Sequence, residues 1–328
     1  MKTNQFSRLS IIAIVILAGA EYVQGQEIQK SSPGQLVDAL HTAFGNNHSR
    51  AVHAKGIILE GTFTPDKSAA SITKATHLQK KSSKVMLRFS NFTGIPTIPD
   101  NIGVANPRGL AIKFIMDDGS SSDIVGHSFN GFPTSDSDQF RELLLSIAAS
   151  SKETFHPNTL EKFLETHPVA KTFLTTQKTP ASFASINYFG VNSFKFTNRK
   201  NETHFIRYQF IADGGEEILT EAQIAQSGPE YLFGEIPQRI AKHPVKFRLY
   251  AEIAQQGDDI PNPSIAWPEN RKKVFLGVIE LTKISSNTPE ADKALSFSPN
   301  NLPDGIQTAD PMLDFRSRAY PISVKERQ

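Results

Sequence analysis

Four short runs in the first half of the chain determine the predicted fold: AVHAKGIILEGTF at residues 51–63, KVMLRFSNF at 84–92, GLAIKFIM at 109–116 and SDIVGHSF at 122–129. Each run alternates apolar with polar residues or is rich in β-branched residues, and turn residues such as DDGSS separate the last two. The pattern predicts four β-strands. In a strand over residues 51–63, His53 would share a face with Ala51 and point toward the interior.

The second half of the chain contains a similar group of predicted strands, YFGVNSFKFTN at 188–198, THFIRYQFIAD at 203–213, PVKFRLYAEIA at 244–254 and KVFLGVIELTKI at 273–284. Helical periodicity lies outside these runs, at residues 32–44, 136–149, 157–176 and 221–241. This order lacks the strict alternation of strand and helix that a doubly wound sheet requires. The predicted fold class is therefore α+β, an antiparallel β-barrel of about eight strands with helical insertions.

The composition is that of an ordinary globular protein, with 328 residues of which 38% are hydrophobic and 21% are charged. This is enough apolar material for one large core, in one or two domains. If the mature chain has two domains, the boundary between them is expected at residues 178–185. The 35 basic and 33 acidic residues are interspersed, which argues against nucleic acid as a partner. The absence of cysteine excludes disulfide bonds, thiolate nucleophiles and thiolate metal sites.

The N-terminus has the parts of a secretory signal. Lys2 and Arg8 precede an apolar run at residues 11–20, and small residues follow it, so that cleavage is expected after Ala20 or Gly25. The run is shorter than the roughly 20 residues of a membrane-spanning helix. We therefore expect a signal peptide at residues 1–25 and one mature domain at 26–328. The mature chain would be periplasmic or otherwise exported, with no membrane association once the signal is removed.

The absence of several short motifs excludes the kinds of active site that depend on them. The sequence has no glycine-rich phosphate loop, no HExxH and no G-x-S-x-G, and its nine histidines are scattered.

Near the C-terminus, RSRAYP places Arg316 four residues before Tyr320, so that on a helix the guanidinium can reach the phenol oxygen. The next residue, Pro321, predicts that this helix ends at Tyr320. The pair is consistent with an ordinary buried tyrosine and with a phenolate held ionised by the cation.

Seven blocks, in order along the mature chain, resemble the haem catalases and in particular the short, exported catalase-related peroxidases. The blocks are RAVHAKG at 50–56, RFSN at 88–91, NPRGLAIKF at 106–114, DIVGHSFNGFP at 123–133, YFGVNSFKF at 188–196, PNNLPDGI at 299–306 and RSRAYP at 316–321. Any one block is weak, whereas the seven in this order are highly specific. The resemblance implies an antiparallel β-barrel with helical insertions, and haem b (iron protoporphyrin IX) buried between the barrel and the helices.

The resemblance assigns Tyr320 as the metal ligand, which would bind ferric iron as the phenolate. Arg316 would supply the cation that favours this anion. Asp310 matches one of the polar residues that support the arginine in the family. Asn192 stands where many larger relatives have histidine, and this change should shorten the relay behind the arginine.

On the other face of the haem, the resemblance implies that His53 is the acid/base that moves a proton between the two peroxide oxygens. Ser90 would hydrogen-bond and orient it. His127 occupies the position of an asparagine in large catalases, and we expect it to be a second polar group near the iron; the alternative is that it turns away and leaves Asn130 nearby. Without the resemblance, a lone histidine or serine in a strand is usually structural.

The remaining cofactor contacts also follow from the resemblance. Arg50, Arg88 and Arg327 align with residues that pair with the haem propionates, as suits bidentate recognition of carboxylates by arginine. Phe140 matches a ring that packs on the porphyrin, although its place on an amphipathic helix is equally well explained by the core.

The expected activity is that of a haem peroxidase that uses organic hydroperoxides or hydrogen peroxide to oxidise small organic donors, with weak catalase activity. The chain stops eight residues after Tyr320, so it is expected to lack the C-terminal helical domain of larger relatives and to leave the haem more accessible. Two alternatives remain. One is isomerisation or dehydration of fatty-acid hydroperoxides on the same scaffold, and the other is a non-enzymatic carrier of haem or an apolar ligand. The sequence leaves oligomeric assembly open.

Overall fold

The computed structural model describes residues 30–79, 81–285 and 289–327, so the predicted signal at 1–25 lies outside the described residues. The described residues form one nine-stranded antiparallel sheet. Its strands are β1 (Gly56–Pro65), β2 (Ser83–Ser90), β3 (Gly109–Ile115), β4 (Ser121–His127), β5 (Tyr188–Thr197), β6 (Thr203–Ala212), β7 (Val245–Ile253), β8 (Lys273–Ile284) and β9 (Ile306–Thr308).

The first eight strands close into a barrel, which confirms the predicted architecture. Their order is β4-β3-β2-β1-β8-β7-β6-β5, and His127 of β4 pairs with Phe189 of β5 to complete the ring. The short β9 extends β5 and has too few residues to show a period in the sequence. Alternate strand residues fill the barrel interior and are completely buried, for example Leu59, Leu87 and Phe247.

The segment before β1 differs from its prediction. The strand begins at Gly56 and not at residue 51, and the backbone of His53 has φ of 59°, in the left-handed region. The backbone N–H groups of His53 and Ala54 donate to the carbonyls of Phe92 and Thr93, and their own carbonyls accept from the Arg88 guanidinium. The Arg88 guanidinium thus occupies carbonyl groups that a neighbouring strand would otherwise bind, and the loop does not join the sheet. A left-handed histidine costs free energy, and such conformations cluster at functional sites.

Eight α-helices of the described residues surround the barrel. They are α1 (Pro33–Phe44), α2 (Ser137–Ser150), α3 (Thr159–Thr166), α4 (Pro168–Thr175), α5 (Glu221–Gln226), α6 (Tyr231–Lys242), α7 (Pro289–Ala294) and α8 (Pro311–Glu326). A capping box between Ser32 and Gln35 starts α1, and the Asp136 side chain caps α2. Apolar residues join α1, α2 and α8, and the residues from Ser31 onward form one compact unit. No helix of the described residues has the length and apolar character needed to span a bilayer.

Helix α8 corrects a second prediction, because it continues past Pro321 to Glu326 instead of ending at Tyr320. Proline removes one backbone donor and disfavours helical geometry in the residue before it. Here the apolar face of the helix outweighs that preference: Phe315, Ala319 and Ile322 pack in one cluster with residues of α1. The extra turn carries Ser323, Val324 and Arg327 to the same cavity as Tyr320.

Candidate active site

A cavity lies between the barrel and the surrounding helices. Its volume is about 1460 Å³ with the open solvent at its mouth included. We call the side of the cavity formed by strands β2 to β4 and the loop before β1 the barrel wall. We call the side formed by helices α1 and α8 the helix wall. All nine residues predicted for the site line this cavity: Arg50, His53, Arg88, Ser90, His127, Phe140, Arg316, Tyr320 and Arg327.

His53 is held on the barrel wall by two contacts to one ring nitrogen. Its Nδ1 lies 3.1 Å from the Asn91 carbonyl oxygen and 3.1 Å from the Ser90 Oγ. Because a carbonyl can only accept, these partners assign the proton of the neutral ring to Nδ1 and leave Nε2 as a proton acceptor. The predicted contact with Ser90 is therefore present, and the Asn91 carbonyl is a partner that the sequence did not indicate.

The barrel wall leaves room for this ring only because residue 109 is glycine. A Cβ atom on Gly109 would lie 2.4 Å from the Ser90 Oγ and 2.6 Å from the His53 Nδ1. Real Cβ contacts are longer than this, so any other residue would displace the imidazole or its partner. The glycine of the NPRGLAIKF block is thus a requirement of the histidine's position.

His127 ends β4 and has the opposite arrangement of its ring nitrogens. Its Nδ1 accepts from the backbone N–H of Phe129 at 3.3 Å, which assigns the proton of the neutral ring to Nε2. That Nε2 is buried and has no hydrogen-bond partner among the described residues. The ring has turned toward the cavity, and Asn130 is not among the described residues that line it. His53 therefore offers a lone pair, and His127 offers an N–H donor.

Both imidazoles are uncharged at neutral pH. Burial lowers the pKa of His53 to about 3, and repulsion from a charged His127 and from Arg88 adds to the shift. Burial also lowers the pKa of His127 to about 3, with repulsion from Arg316 as the next cause. Each ring therefore enters a reaction neutral.

Tyr320 on the helix wall stands at the end of a chain of hydrogen bonds. The Arg316 guanidinium donates to the Tyr320 hydroxyl oxygen across one helical turn, as the spacing predicts. The same guanidinium donates to the Asn192 Oδ1 at 2.6 Å, and the Asn192 amide donates to the Asp310 carboxylate at 2.6 Å. Asn192 thus continues the chain that the sequence suggested would be shortened.

Asp310 has two functions at the base of this chain. Its Oδ1 caps α8 by accepting from the backbone N–H of Met312 at 2.8 Å, while its Oδ2 receives the Asn192 amide. Burial raises the pKa of the Asp310 carboxyl, and the hydrogen bond from Asn192 opposes that shift. The residue that starts the helix is therefore also the residue that supports the arginine beside the phenol.

The predicted propionate arginines lie together. Arg88 is 3% exposed and Arg327 is 5% exposed. The Arg327 Nε is buried without a hydrogen-bond partner among the described residues. A Cβ atom at Gly56 would lie 2.1 Å from the Arg88 guanidinium carbon, so this glycine makes room for the cation. Buried cations that line an apolar cavity are well suited to ligand carboxylates.

Aromatic residues that the sequence did not single out complete the barrel wall. The Phe173 ring of α4 packs edge-on against the His127 ring at 5.9 Å between centroids, and the Phe92 ring packs edge-on against His53 at 5.6 Å. The Phe132 ring lies 4.8 Å from the ring of the predicted Phe140, tilted by 58°, and both rings line the cavity. The abundance of phenylalanine was the available signal, but nothing in the helical pattern of α4 distinguishes Phe173 from a core residue.

Comparison with known proteins agrees with this geometry. A family model described as catalase matches residues 40–328. The "Catalase-related peroxidase" of Synechococcus elongatus is 32% identical over 302 residues, which are 90% of this chain and 88% of that protein. The protein of the same name from Mycolicibacterium paratuberculosis is 30% identical over 302 residues, covering 90% of this chain and 95% of that one.

Solved structures show the same fold at lower identity. A bacterial catalase has a TM-score of 0.73 at 21% identity, over 85% of this chain and 57% of its own. A fungal catalase has a TM-score of 0.75 at 22% identity, over 85% of this chain and 59% of its own. The chain therefore spans a little under two thirds of each of these catalases.

Proposed function

The chain belongs to the catalase family, and on that premise we propose that it is a haem-dependent peroxidase that uses organic hydroperoxides or hydrogen peroxide to oxidise small organic donors. It is an oxidoreductase that acts on peroxide. The observation that carries the proposal is one cavity lined both by an oriented, neutral imidazole and by a tyrosine paired with arginine. No specific observation favours either of the two alternative functions.

The cavity fits haem b in three respects. Its lining is largely aliphatic and aromatic, as a flat apolar macrocycle requires. The Tyr320 oxygen faces a guanidinium, which favours the phenolate that ferric iron binds. Buried arginines on the same cavity suit the two carboxylates of protoporphyrin IX. Tyr320 would hold the iron, and Arg50, Arg88 and Arg327 would hold the propionates.

When bound, the haem supplies the redox-active iron at which a peroxide O–O bond is cleaved. His53 contributes the proton transfer. Its Nε2 accepts the hydroperoxide proton and returns it to the departing oxygen, so that the leaving group departs as water or an alcohol. The low pKa of His53 favours prompt return of that proton, because the charged imidazole is unstable in its buried position.

His127 contributes a hydrogen-bond donor. Its Nε2–H stabilises negative charge that develops on a peroxide oxygen, as a buried donor of fixed orientation does. An imidazole is bulkier than an amide and donates through one N–H instead of two. We therefore infer less efficient handling of hydrogen peroxide as both oxidant and reductant, so that catalase activity is weak relative to peroxidase activity.

The helix wall places a guanidinium beside the tyrosine oxygen, an arrangement that favours the phenolate as an iron ligand. Arg316 is itself fixed by its hydrogen bond to Asn192, and Asp310 holds the Asn192 amide from behind. Organic donors supply the two electrons and two protons that reduce the hydroperoxide to alcohol and water. The predicted signal supports export, and we propose that the enzyme works in the periplasm or another extracytoplasmic space.

An absorption spectrum of the purified chain, followed by paired assays, tests the proposal. We expect a Soret band, donor oxidation driven by an organic hydroperoxide, and slow oxygen release from hydrogen peroxide. Strong oxygen release without donor oxidation would identify a true catalase instead. Hydroperoxide consumption that needs no donor would identify an isomerase or dehydratase, and haem binding without peroxide turnover would identify a carrier.

A further inference from the structure

One carboxylate binds two of the arginines that line the cavity. The Arg88 Nε donates to the Asp292 Oδ1 at 2.6 Å, and its Nη2 donates to Oδ2 at 3.3 Å. The Arg50 Nη1 donates to the same Oδ2 at 3.1 Å and to the Asp292 carbonyl oxygen at 3.0 Å. The contact with Arg88 is bidentate, which is the strong form of the arginine–carboxylate pair.

The third arginine reaches the same segment through a backbone carbonyl. Arg327 donates from Nη2 to the Leu295 carbonyl oxygen at 3.1 Å, and Arg50 donates from Nη2 to the same oxygen at 2.7 Å. Leu295 directly follows the last residue of α7, where the backbone carbonyls carry partial negative charge. Asp292 and this helix end thus present one acceptor surface to guanidiniums that come from the loop before β1, from β2 and from the end of α8.

Such a cluster needs a counter-ion. Burial lowers the pKa of the Arg50 guanidinium and repulsion from Arg88 lowers it further, whereas the Asp292 carboxylate raises it. Burial lowers the pKa of Arg327 as well, and Asp292 again opposes the shift. Like charges held together away from water repel strongly. Asp292 is the carboxylate that offsets this repulsion.

The cluster also links the two walls of the cavity. The Arg88 guanidinium donates to the carbonyl oxygens of His53 and Ala54 at 2.8 Å and 2.9 Å, and so holds the left-handed loop of the barrel wall. Arg327 follows Tyr320 at the C-terminal end of α8, on the helix wall. Asp292 and the nearby Leu295 carbonyl therefore bind guanidiniums that come from both walls of the cavity.

We propose that Asp292 is a positioning residue for haem, whose carboxylate holds the guanidiniums of Arg50 and Arg88 beside that of Arg327 as the site for the two porphyrin carboxylates. This inference rests on the proposed function. Asp292 is not among the described residues that line the cavity, so it would act through the arginines.

Release of two porphyrins from the full-length holoprotein tests this inference. One preparation carries hemin and the other carries hemin dimethyl ester, which has no ionisable carboxylate, and the loss of the Soret band into excess serum albumin gives each release rate. We expect Asp292→Asn to release hemin about tenfold faster, the size of a lost charged hydrogen bond, and the ester at an unchanged rate. Asp292→Glu should restore most of the retention.

Asp304→Asn is the matched control, because it removes an exposed carboxylate that pairs with Lys74 and does not line the cavity. It should leave both release rates unchanged. Slower release of hemin from Asp292→Asn would mean that the aspartate competes with the porphyrin carboxylates, and equal acceleration of both porphyrins would mean that it only supports the fold. Either result overturns the inference.

Two further outcomes remain decisive. If circular dichroism shows that Asp292→Asn does not fold, Arg327→Gln gives the same comparison from the other end of the cluster, and equal release of both porphyrins again overturns the inference. If the unmodified chain takes up neither porphyrin, the proposed function fails and the inference fails with it. Uptake of both porphyrins, with hemin and ester retained alike by every variant, refutes the inference alone.

Discussion

The two walls of the cavity solve opposite electrostatic problems. The barrel wall holds His53 and His127 uncharged by burial and by repulsion from nearby cations, while hydrogen bonds to backbone groups orient the two rings. The helix wall holds a phenol against a charged guanidinium, in a chain of side chains that ends at a carboxylate. A group that must gain and lose a proton in each cycle works best when its charged form is not overstabilised. A metal ligand needs its negative charge to persist.

The difference predicts that the walls fail in different ways, and His53→Ala should have the largest effect. The variant loses the proton acceptor, so the rate of hydroperoxide cleavage per haem should fall about 10²–10⁴-fold, the usual contribution of general acid–base catalysis. Haem content should stay within about twofold, because the barrel wall does not hold the iron. Stopped-flow spectroscopy with an organic hydroperoxide and the haem content of purified protein measure the two quantities.

His127→Ala is the matched comparison for that variant, since it removes a neighbouring buried imidazole from the same wall. A single lost hydrogen-bond donor should slow cleavage about tenfold to a hundredfold, less than the loss of the proton acceptor. If the two variants were equally slow, the division into acceptor and donor that the ring nitrogens indicate would be wrong. A His53→Ala protein with normal turnover would remove the histidine from the chemistry altogether.

Tyr320→Phe should affect haem retention first. Loss of the only side-chain ligand proposed for the iron should weaken haem binding about a hundredfold and change the visible spectrum, with the fold preserved. Tyr208→Phe is the control, because Tyr208 is a completely buried barrel tyrosine that does not line the cavity. Haem titration of both variants measures the effect. An unchanged spectrum in Tyr320→Phe would disprove the ligand assignment.

The helix wall was also easier to predict from sequence than the barrel wall. Arg316 and Tyr320 meet through local helical spacing, which a sequence shows directly. His53 meets Ser90 and Gly109 only after β1, β2 and β3 have paired, and its left-handed backbone contradicts the strand that the alternating pattern predicts. The eight barrel strands followed from their period, whereas the six-residue α7 and its Asp292 had no period to detect. Contacts between residues distant in sequence needed the family resemblance or the structure.

His77, a buried histidine outside the cavity, separates the effect of burial from that of function. It is 1% exposed, its ring lies 4.6 Å from the Phe114 ring, and neither ring nitrogen has a hydrogen-bond partner among the described residues. Burial lowers its pKa from 6.5 to about 3. It shares the low pKa of the barrel-wall histidines but does not line the cavity.

The smallest expected effect therefore concerns stability and not activity. In the folded state His77 stays neutral down to about pH 3, whereas in the unfolded chain it takes up a proton below about pH 6.5, so stability is lost as the pH falls between these values. His77→Phe keeps an aromatic ring beside Phe114 and removes this loss, which should amount to roughly 1 kcal/mol per pH unit. Urea unfolding at pH 7, 5 and 4, followed by the fluorescence of Trp267, measures the difference in stability.

His243→Gln is the control, because it removes an exposed histidine. If His77→Phe lost stability in acid as steeply as the parent chain, burial of an unpartnered imidazole would not explain the low pKa, and the neutral state of His53 and His127 would need a cause specific to their own wall.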